Sequence, residues 1–360
     1  MSTTTLGLLA APPADRLPVL SLPELVAAVE AAGLTGRGGA GFPTTTKLRA
    51  AAGARGLVVV ANAMEGEPLS SKDAVLLARA PHLVLEGLAL VSAALGATRR
   101  VVGAGSHLPV AALRPVASAY DVEVVVVPGG FVSGQESALV RGLSGLPAVP
   151  TDPLVRVTTR GVDGRPTLVL NAETLASVAM AVRFGPAAAA SRLLTISGAV
   201  EAPGVVEAPR TALLGDVVDR ARPGPLRAVL VGGYHGGWVP AGALGTSLAD
   251  LAVGAGVLHV LGAGTCPLAA TARIATYLAG ETAGQCGPCV NALPRVADTL
   301  ARLASGPPDP RLPAEVARLS ALAAGRGACA HPDGTVRMVL SAMQVFADDV
   351  AAHLEGRCTA

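Results

Sequence analysis

The sequence predicts an α/β protein in which a domain with a mainly parallel sheet is followed by a small α+β module and a four-helix bundle. Three changes along the chain indicate this order. Residues 57–145 alternate strand-like and helix-like segments, short strands broken by Gly and Pro follow, and helical periodicity begins at Pro267. We therefore expect an N-terminal extension and three domains, with the boundaries 1–30, 31–188, 189–263 and 264–360.

The first domain is predicted from repeated strand–helix units. The segments GLVVVANA, RRVVGAG and VEVVVVPGG are typical of buried strands. Helical periodicity marks PHLVLEGLALVSAALGA, where Pro81 suits the first turn, and LPVAALRPVASAY, which Pro115 interrupts. Strands that alternate with helices form a parallel sheet, and ligands bind outside the carboxyl ends of its strands.

The later domains are predicted from shorter strands and then from helices. RLLTISGAVEAPGVVEAP and RAVLVGG are typical of strands, and TALLGDVVDRA is typical of a helix between them. Apolar residues then recur every three or four positions in four segments, which predict the bundle. These segments are PLAATARIATYLAG, VNALPRVADTLARLAS, PAEVARLSALAAG and VRMVLSAMQVFADDVAAHL.

Composition excludes several classes of protein. With 51% hydrophobic and 15% charged residues, the chain is expected to fold around large cores. A net charge of +2 without a dense basic run argues against a nucleic-acid partner.

The uncharged run Leu251–Ala272 contains Gly, Pro and His259, so we expect a strand, a turn and a helix start there and no membrane span. The N-terminus is a poor signal peptide, and five scattered cysteines suit a reducing, cytoplasmic location.

A glycine-rich loop is the first candidate site. The segment GLTGRGGAGFPTTTK carries five glycines between Gly33 and Gly41 and ends at Lys47, one of two lysines in the chain. Glycine allows positive φ and close backbone approach, so successive N–H groups can face an anion. We expect the threonines to cap a following helix, whose N-terminus favours phosphate. The alternative is a flexible surface loop without a ligand.

The second candidate segment, NAMEGEPLSSKD, follows a predicted buried strand and carries the other lysine, Lys72. Glu65 and Glu67 lie two residues apart beside Gly66 and Pro68, which suits a fixed loop that accepts hydrogen bonds. The alternative is an acidic pair in a solvated loop.

A pair of cysteines is the third candidate. Cys286 and Cys289 lie two residues apart in ETAGQCGPC, a spacing that indicates metal binding or redox chemistry. Two thiolates make half of a tetrahedral site, so further ligands must come from outside the pair.

Together these segments resemble the NADH-oxidising flavoprotein subunit of respiratory complex I, the fifty-one-kilodalton type. That family also includes subunits of hydrogenases and formate dehydrogenases, and the resemblance covers about residues 30–357. The block ISGAVEAPGVVEAP is similar to the β-grasp module of the family. The family's other motifs, GxxGRGGAGFPxxxK, NADExEP…KD, GEETAL, GRPT…NxETL and ESCGxCxPC, are matched at 33–47, 62–73, 134–139, 164–175 and 281–289.

The resemblance implies FMN on the glycine loop, NADH stacked on the flavin near Phe42 and Glu67, and an iron–sulfur cluster in the helical bundle. Hydride would pass from NADH to the flavin, and single electrons would leave through the cluster to an acceptor protein or other oxidoreductase subunits. The implied cluster ligands are Cys286, Cys289 and Cys329. The implied flavin-binding residues are Gly36, Arg37, Gly38, Gly39, Lys47, Asn62, Glu65, Glu136, Asn171 and Thr174.

The cluster motif departs from the family pattern at Ala283, where the family has its first cysteine. Three thiolates remain for a cluster that normally takes four, so we expect 4Fe-4S with a non-thiolate ligand, or 3Fe-4S. The alternatives are zinc held by the three cysteines with His331, an ordinary loop histidine at 331, or an empty site. The other candidate ligands are Cys266, at doubtful reach, Cys358, in a tail expected to fray, and Glu281.

The flavin and NADH segments also depart from the pattern. Met64, Phe131 and Gln135 replace an Asp, a Tyr and a Glu of the family, and Arg156 is the only stand-in for its later basic contacts. Three functions therefore stay open: an NADH dehydrogenase-type flavoprotein subunit, a flavin-binding homologue without NADH turnover or with a zinc or empty cysteine site, and a structural partner. The intact glycine loop and the two lysines favour the first two.

Overall fold

The computed structural model describes residues 7–151 and 154–360 and divides into two compact units. The first unit runs to Leu194 and includes Val205–Arg210, and the second holds Thr195–Gly204 and Thr211–Ala360. The helices are α1 (Leu22–Ala31), α2 (Thr44–Ala51), α3 (Lys72–Arg79), α4 (Pro81–Leu95), α5 (Val110–Ser118), α6 (Glu136–Leu143), α7 (Ala172–Phe184), α8 (Leu214–Val218), α9 (Pro267–Gly280), α10 (Leu293–Ser305), α11 (Leu312–Ala323), α12 (His331–Val345) and α13 (Ala347–Leu354). The strands are β1 (Val58–Ala63), β2 (Arg99–Ala104), β3 (Glu123–Val126), β4 (Thr167–Asn171), β5 (Ser191–Gly198), β6 (Gly204–Pro209), β7 (Leu226–Val231), β8 (Gly237–Pro240) and β9 (Val257–Gly262).

A parallel sheet with the strand order β3–β2–β1–β4 forms the centre of the first unit. The apolar run Val58–Ala61 of β1 is fully buried, as expected for a strand covered by helices on both faces. Helix α4 begins at Pro81 and ends before Gly96, whose φ of +64° closes the helix in the left-handed conformation. The predicted α/β class is confirmed, although α5 continues through Pro115 instead of breaking there.

Residues before the predicted first domain belong to the first unit. Leu8 and Ala11 are buried in the same apolar core as Leu25 and Val29 of α1. The N–H of Leu8 also donates to Glu207 Oε1 at 2.9 Å. The segment before the glycine loop is therefore packed into the domain that carries the loop.

The second unit holds the end of β5, strands β7–β9 and helices α8–α13, so most of the expected module lies in one unit with the bundle. In the mixed sheet, β5 runs parallel to β9, while β7 pairs antiparallel with both β9 and β8. The uncharged run at 251–272 folds as β9, a turn and the start of α9, as predicted. The last predicted helix is split at Phe346, whose ring packs edge-on against Trp238 with centroids 5.4 Å apart.

Within the described ranges, no single helix is both long and apolar enough to cross a membrane. Helices α3 and α4 meet that test only as a pair, across a bend of 92°.

Candidate functional site

The carboxyl ends of β1 and β4 form the centre of the candidate site. Asn62 near the end of β1 is the register partner of Asn171 at the end of β4. Strands β2 and β3 lie on one side of β1 and β4 lies on the other, so the strand order reverses between β1 and β4. Open parallel sheets bind ligands at such a reversal, which is where the sequence predicts a crevice.

The glycine-rich loop is tied to the beginning of α7, directly after β4. The N–H of Arg37 donates to Thr174 Oγ1 at 2.9 Å, and the N–H of Gly36 donates to the carbonyl of Phe42 at 2.8 Å. The loop is therefore closed on itself and attached to the strand end, unlike the flexible surface loop of the alternative interpretation.

Glycine is required at several points of this loop. A Cβ on Gly38 would lie 3.4 Å from Cβ of Asn171, so the loop packs closely against the end of β4. Gly39 and Gly41 have φ values of +118° and +62°, and space is open beside both. The loop thus presents exposed backbone without side chains, which suits close approach by a phosphate or a ring.

Lys47 lies one turn into α2, the helix that follows the loop. Its Nζ donates to the carbonyl of Val169 at 3.1 Å and to Glu136 Oε1 at 3.3 Å. An ammonium group has three N–H donors, so one donor remains for a ligand. The Lys47 side chain is 28% exposed, so a ligand can reach it.

Thr44 begins α2, and Pro43 occupies the N-cap position, so the prediction that a threonine caps this helix is wrong. The hydroxyl of Thr44 is buried and finds no hydrogen-bond partner among the described residues. A buried hydroxyl without a partner costs about 1–3 kcal/mol. An anion at the N-terminus of α2 would accept this hydrogen bond, so the residues present fit the phosphate of FMN.

The Arg37 side chain points into the first unit and away from the exposed face of the loop. It is 3% exposed, and its Nη2 donates to the carbonyl of Ser191 at 3.4 Å. Burial lowers the pKa of Arg37, and the charge of Glu173 opposes that effect. Arg37 therefore contributes its backbone to the loop, while its guanidinium belongs to a buried charge network.

Asn62 and Asn171, predicted to bind flavin, use their side chains to fix the strand ends. Asn62 Nδ2 donates to the carbonyl of Gly134 at 2.9 Å. Asn171 caps α7 and donates from Nδ2 to Asp73 Oδ2 at 2.9 Å. These contacts hold the site in shape before a ligand arrives.

The Glu65 carboxylate caps the N-terminus of α3. Its Oε1 accepts from Ser70 Oγ and from the N–H of Asp73, both at 2.8 Å, and its Oε2 accepts from the N–H of Ala74 at 2.9 Å. A carboxylate at a helix N-terminus is stabilised by free N–H groups and by the helix dipole. The structure thus gives the Glu65 side chain a capping role.

Glu67 and Phe42 differ in exposure. Glu67 is 9% exposed, and its Oε1 accepts a long hydrogen bond of 3.4 Å from the N–H of Leu69. Phe42 follows the last glycine of the loop and is 46% exposed. An exposed ring beside open backbone is suited to stacking on a planar ligand.

Lys72, the second lysine, is structural. Its Nζ lies 2.6 Å from Asp73 Oδ1 and 3.0 Å from Glu173 Oε2, and each of the three side chains is buried. Burial raises the pKa of Asp73 against the opposing charge of Lys72. The sequence argument that both lysines mark ligand contacts therefore applies to Lys47 alone.

Two residues that depart from the family pattern have clear structural roles. Gln135 caps α6, where its Oε1 accepts from the N–H groups of Ser137 and Ala138 at 2.9 and 3.0 Å. Met64 is 4% exposed and adds apolar surface behind β1. Neither substitution disturbs the glycine loop.

The predicted cluster ligands gather in the second unit. Cys289 lies in a π-helical turn, Pro288–Ala292, that leads into α10, and Cys329 lies just before α12. Beyond the effect of burial, Cys286 raises the pKa of both Cys289 and Cys329, so the three thiols lie near one another. Irregular helical turns of this kind are frequent at functional sites.

The three thiols differ in their ease of ionisation. Burial raises the pKa of Cys289 to about 12, and the neighbouring Cys286 adds to this effect. Burial also opposes ionisation of Cys286, but N–H groups of Ala328 and Cys289 lower its pKa overall. Among the described residues, these three Sγ atoms do not all lie within 4.8 Å of one another, as ligands of one ion would. A cluster of several iron atoms spaces its thiolates farther apart, so this donor set fits a cluster better than zinc.

His331 is not placed as a fourth ligand. Its Nε2 lies 2.9 Å from the carbonyl of Leu278, and its Nδ1 lies 3.1 Å from His235 Nε2. Both ring nitrogens therefore contact groups inside the fold, as expected for a histidine that binds no metal. Zinc held by the three cysteines and His331 is not supported.

Cys266 and Cys358 form a separate group with His353, which the sequence analysis missed. Their ligand atoms lie within 4.8 Å of one another. The sequence predicts a frayed tail at Cys358 and treats Cys266 only as a possible cluster ligand, whereas the structure brings both thiols to His353. Cys266 is far in sequence from His353 and Cys358, and only the arrangement of α9 and α13 reveals the group.

Two family models match the chain at these sites. The Nuo51 FMN-binding domain matches residues 29–180, and the iron–sulfur binding region of NADH-ubiquinone oxidoreductase-F matches residues 269–353. The first range contains the glycine loop and both strand ends, and the second contains the three predicted cluster ligands.

Whole-chain comparisons agree with these matches. The second NADH-quinone oxidoreductase F subunit of Rhizobium meliloti (strain 1021) is 29% identical over 93% of this chain and 89% of its own length. The NADH-quinone oxidoreductase F subunit of Aquifex aeolicus (strain VF5) is 30% identical over 75% of this chain and 72% of its own length. A chain of an NAD+-reducing [NiFe]-hydrogenase in the H2-reduced state superposes with a TM-score of 0.86 at 31% identity. That match covers 93% of this chain and 63% of the hydrogenase chain.

Proposed function

Because the chain belongs to the family of the FMN- and iron–sulfur-binding F subunits of NADH-quinone oxidoreductases, we propose that it oxidises NADH at a bound FMN and releases the electrons through an iron–sulfur cluster. FMN, when bound, supplies hydride acceptance and single-electron release. The protein supplies the position of the reactants and the exclusion of water.

The first unit provides the flavin site in this proposal. The Gly36–Gly41 backbone and the free donor of Lys47 would hold the phosphate end, with the buried hydroxyl of Thr44 as a further donor. The side chains of Asn62, Asn171 and Thr174 keep the loop and the strand ends in place. Such fixed contacts lower the entropic cost of binding.

The nicotinamide would lie on the side of Phe42 and Glu67. The exposed Phe42 ring provides a surface for stacking, and the nearly buried Glu67 provides a carboxylate for a hydroxyl or amide of the dinucleotide. A hydrogen bond to a charged group in such a site contributes about 1.5–3 kcal/mol.

Cys286, Cys289 and Cys329 would hold the cluster with one protein thiolate fewer than usual, because residue 283 is Ala. A cluster with three thiolate ligands is expected as 3Fe-4S, or as 4Fe-4S with a fourth, non-thiolate ligand. The electrons would pass to an acceptor protein or to other oxidoreductase subunits.

The observation that supports this function most is the glycine loop tied to the start of α7. Lys47 and the Thr44 hydroxyl, which has no partner among the described residues, lie in the helix that follows the loop. The test is anaerobic addition of NADH to protein reconstituted with FMN, followed by visible absorption. We expect the flavin bands to bleach on addition of NADH. A protein that takes up no flavin would overturn the assigned site.

A second candidate function is suggested by Ala283, which removes one thiolate from the electron exit. The chain would then be a flavin-binding homologue without NADH turnover or with a zinc or empty cysteine site. Flavin that binds at one equivalent but is reduced by neither NADH nor NADPH would select this alternative over the first.

A further inference from the structure

Cys266, His353 and Cys358 form a compact group of metal-ligating atoms in the second unit. Cys266 Sγ lies 3.4 Å from His353 Nε2, and the three ligand atoms all lie within 4.8 Å of one another. Zinc–sulfur bonds of about 2.3 Å and zinc–nitrogen bonds of about 2.0–2.1 Å place S and N about 3.6 Å apart in a tetrahedron. The observed distance of 3.4 Å between Cys266 Sγ and His353 Nε2 agrees with this expected S–N distance.

The group lies away from the cluster motif. Cys266 is the N-cap of α9, which has 14 residues and is therefore about 21 Å long. The loop with Ala283 and Cys286 follows the other end of the same helix. The two sets of thiols therefore cannot serve one metal centre without rearrangement of α9.

The fold holds each ligand in place. Cys266 Sγ accepts from the N–H of Ala269 at 3.4 Å, a contact that fixes the thiol at the start of α9. His353 lies on α13 one turn after Asp349, so both side chains project from one face of that helix. The imidazole therefore reaches Cys266 from an ordered helix.

The tail that carries Cys358 is anchored by its neighbour Thr359. The Thr359 hydroxyl donates to Asp349 Oδ1 and accepts from Arg227 Nη2 at 2.9 Å. Arg227 also lies 3.2 Å from Asp349, which is 11% exposed. This three-residue contact turns the chain back over α13 and places Cys358 beside Cys266.

We propose that Cys266, His353 and Cys358 bind one zinc ion that fastens the C-terminal tail to the start of α9. Two thiolates and one imidazole are a ligand set suited to zinc. Calcium and magnesium prefer harder oxygen ligands. Cys358 is exposed, so the fourth position faces solvent and takes water. The site is independent of flavin binding and of NADH oxidation.

The test compares metal content in four proteins. Wild type, Cys358→Ser, His353→Gln and Cys286→Ser are purified under reducing conditions, incubated with ZnCl2, desalted, and assayed for zinc and iron. We expect Cys358→Ser and His353→Gln to hold one zinc fewer per chain than wild type, with unchanged iron. Cys286→Ser is the matched control and should lose iron while keeping this zinc.

Cys358 is exposed and near the end of the chain, so its substitution should leave the fold intact, and unchanged iron content checks this directly. Zinc that persists in Cys358→Ser, or zinc that is lost in Cys286→Ser alone, would overturn the site. A disulfide between Cys266 and Cys358 in the reduced preparation, detected by mass spectrometry, would also overturn it. Replacing zinc by CoCl2 should give a thiolate-to-cobalt absorption band that disappears in Cys358→Ser.

A second variant tests the anchor without removing a ligand. Thr359→Val deletes the hydrogen bonds to Asp349 and Arg227 and leaves the three ligands in place. Outer contacts of this kind change metal affinity by about 10–100-fold. We expect zinc affinity to fall by about tenfold, and an affinity equal to wild type would contradict the anchored-tail arrangement.

Discussion

The Lys72 ammonium lies 3.0 Å from the Glu173 carboxylate, and neither side chain is more than 3% exposed. Asp73 lies 2.6 Å from the same ammonium and accepts a hydrogen bond from Asn171, the residue that ends β4. The pair therefore connects the buried charges of the first unit to the strand end at the candidate flavin site. Lys72 acts through these neighbours and fixes the position of the site.

Lys72→Met should destabilise the first unit strongly. Removing one partner of a buried ion pair leaves uncompensated charge and costs about 3–5 kcal/mol. Asp73 and Glu173 would then share the site without the ammonium between them. The midpoint of urea unfolding, followed by far-ultraviolet circular dichroism, measures this loss.

The double variant Lys72→Met/Glu173→Gln is the control for this pair. It removes charges of both signs and should recover part of the stability lost in Lys72→Met, a coupling of about 0.5–3 kcal/mol. Equal unfolding midpoints for wild type and Lys72→Met would show that the ion pair contributes nothing net.

Lys47→Ala should weaken FMN binding without unfolding the protein. The lost charge-assisted hydrogen bond to a phosphate is worth about 1.5–3 kcal/mol, which corresponds to an affinity about 10–150-fold lower. The measurement is FMN titration by quenching of flavin fluorescence. The matched control is Arg49→Ala on the same helix. It removes a 3.1 Å surface ion pair with Glu30 and should leave FMN affinity unchanged. Unchanged FMN affinity in Lys47→Ala would remove Lys47 from the phosphate site.

Glu67→Gln should affect NADH oxidation far more than flavin retention. The substitution keeps the size of the side chain but removes the charge, and the loss of about 1.5–3 kcal/mol corresponds to about 10–150-fold in kcat/KM. The contrasting variant is Glu65→Gln, which weakens the cap of α3 and should lower stability by about 0.5–2 kcal/mol. Turnover per bound flavin should stay near wild type in Glu65→Gln. Similar turnover in both variants would exclude Glu67 from the nicotinamide side.

The strands and the glycine loop were predictable because their signals are local. A short apolar run such as Val58–Ala61 is typical of a buried strand, and the closely spaced glycines indicate the loop directly. The role of Lys72 was not predictable, because its burial depends on Glu173, a residue far along the chain. The same holds for Cys266 and Cys358, which meet only because α9 and α13 pack together. Long-range packing thus decided which polar residues are structural.

The second unit should lose stability as the pH falls below neutrality, because His235 is buried in its neutral form. Burial, with the charges of His331 and Arg337, lowers the pKa of His235 from 6.5 to about 3. The unfolded chain binds a proton below pH 6.5 and the folded chain does not, so stability present above pH 6.5 is lost between pH 6.5 and 3. The expected loss between pH 7 and pH 5 is about 2 kcal/mol.

Trp238 is the only tryptophan in the chain and lies in the second unit, so its fluorescence reports the unfolding of that unit in urea. His235→Asn removes the titrating ring, and its unfolding midpoint should depend less on pH than that of wild type. Parallel pH dependence in the two proteins would assign the acid sensitivity to other groups.

Ala283→Cys should complete the cluster site. Residue 283 precedes Cys286 by three positions in the loop after α9, where the family motif has its first cysteine, and the change supplies the missing thiolate. Wild type reconstituted anaerobically with iron and sulfide should give the EPR signal of an oxidised 3Fe-4S cluster, or a labile 4Fe-4S cluster, and Cys286→Ser should lose it. Ala283→Cys should bind a stable 4Fe-4S cluster with more iron per chain.

Thr282→Cys is the control. It adds a thiol at the neighbouring position and should bind no more iron than wild type, because a thiolate binds the cluster only from the correct position in the loop. Equal iron content in Ala283→Cys and wild type would mean that Cys286, Cys289 and Cys329 do not converge on one cluster.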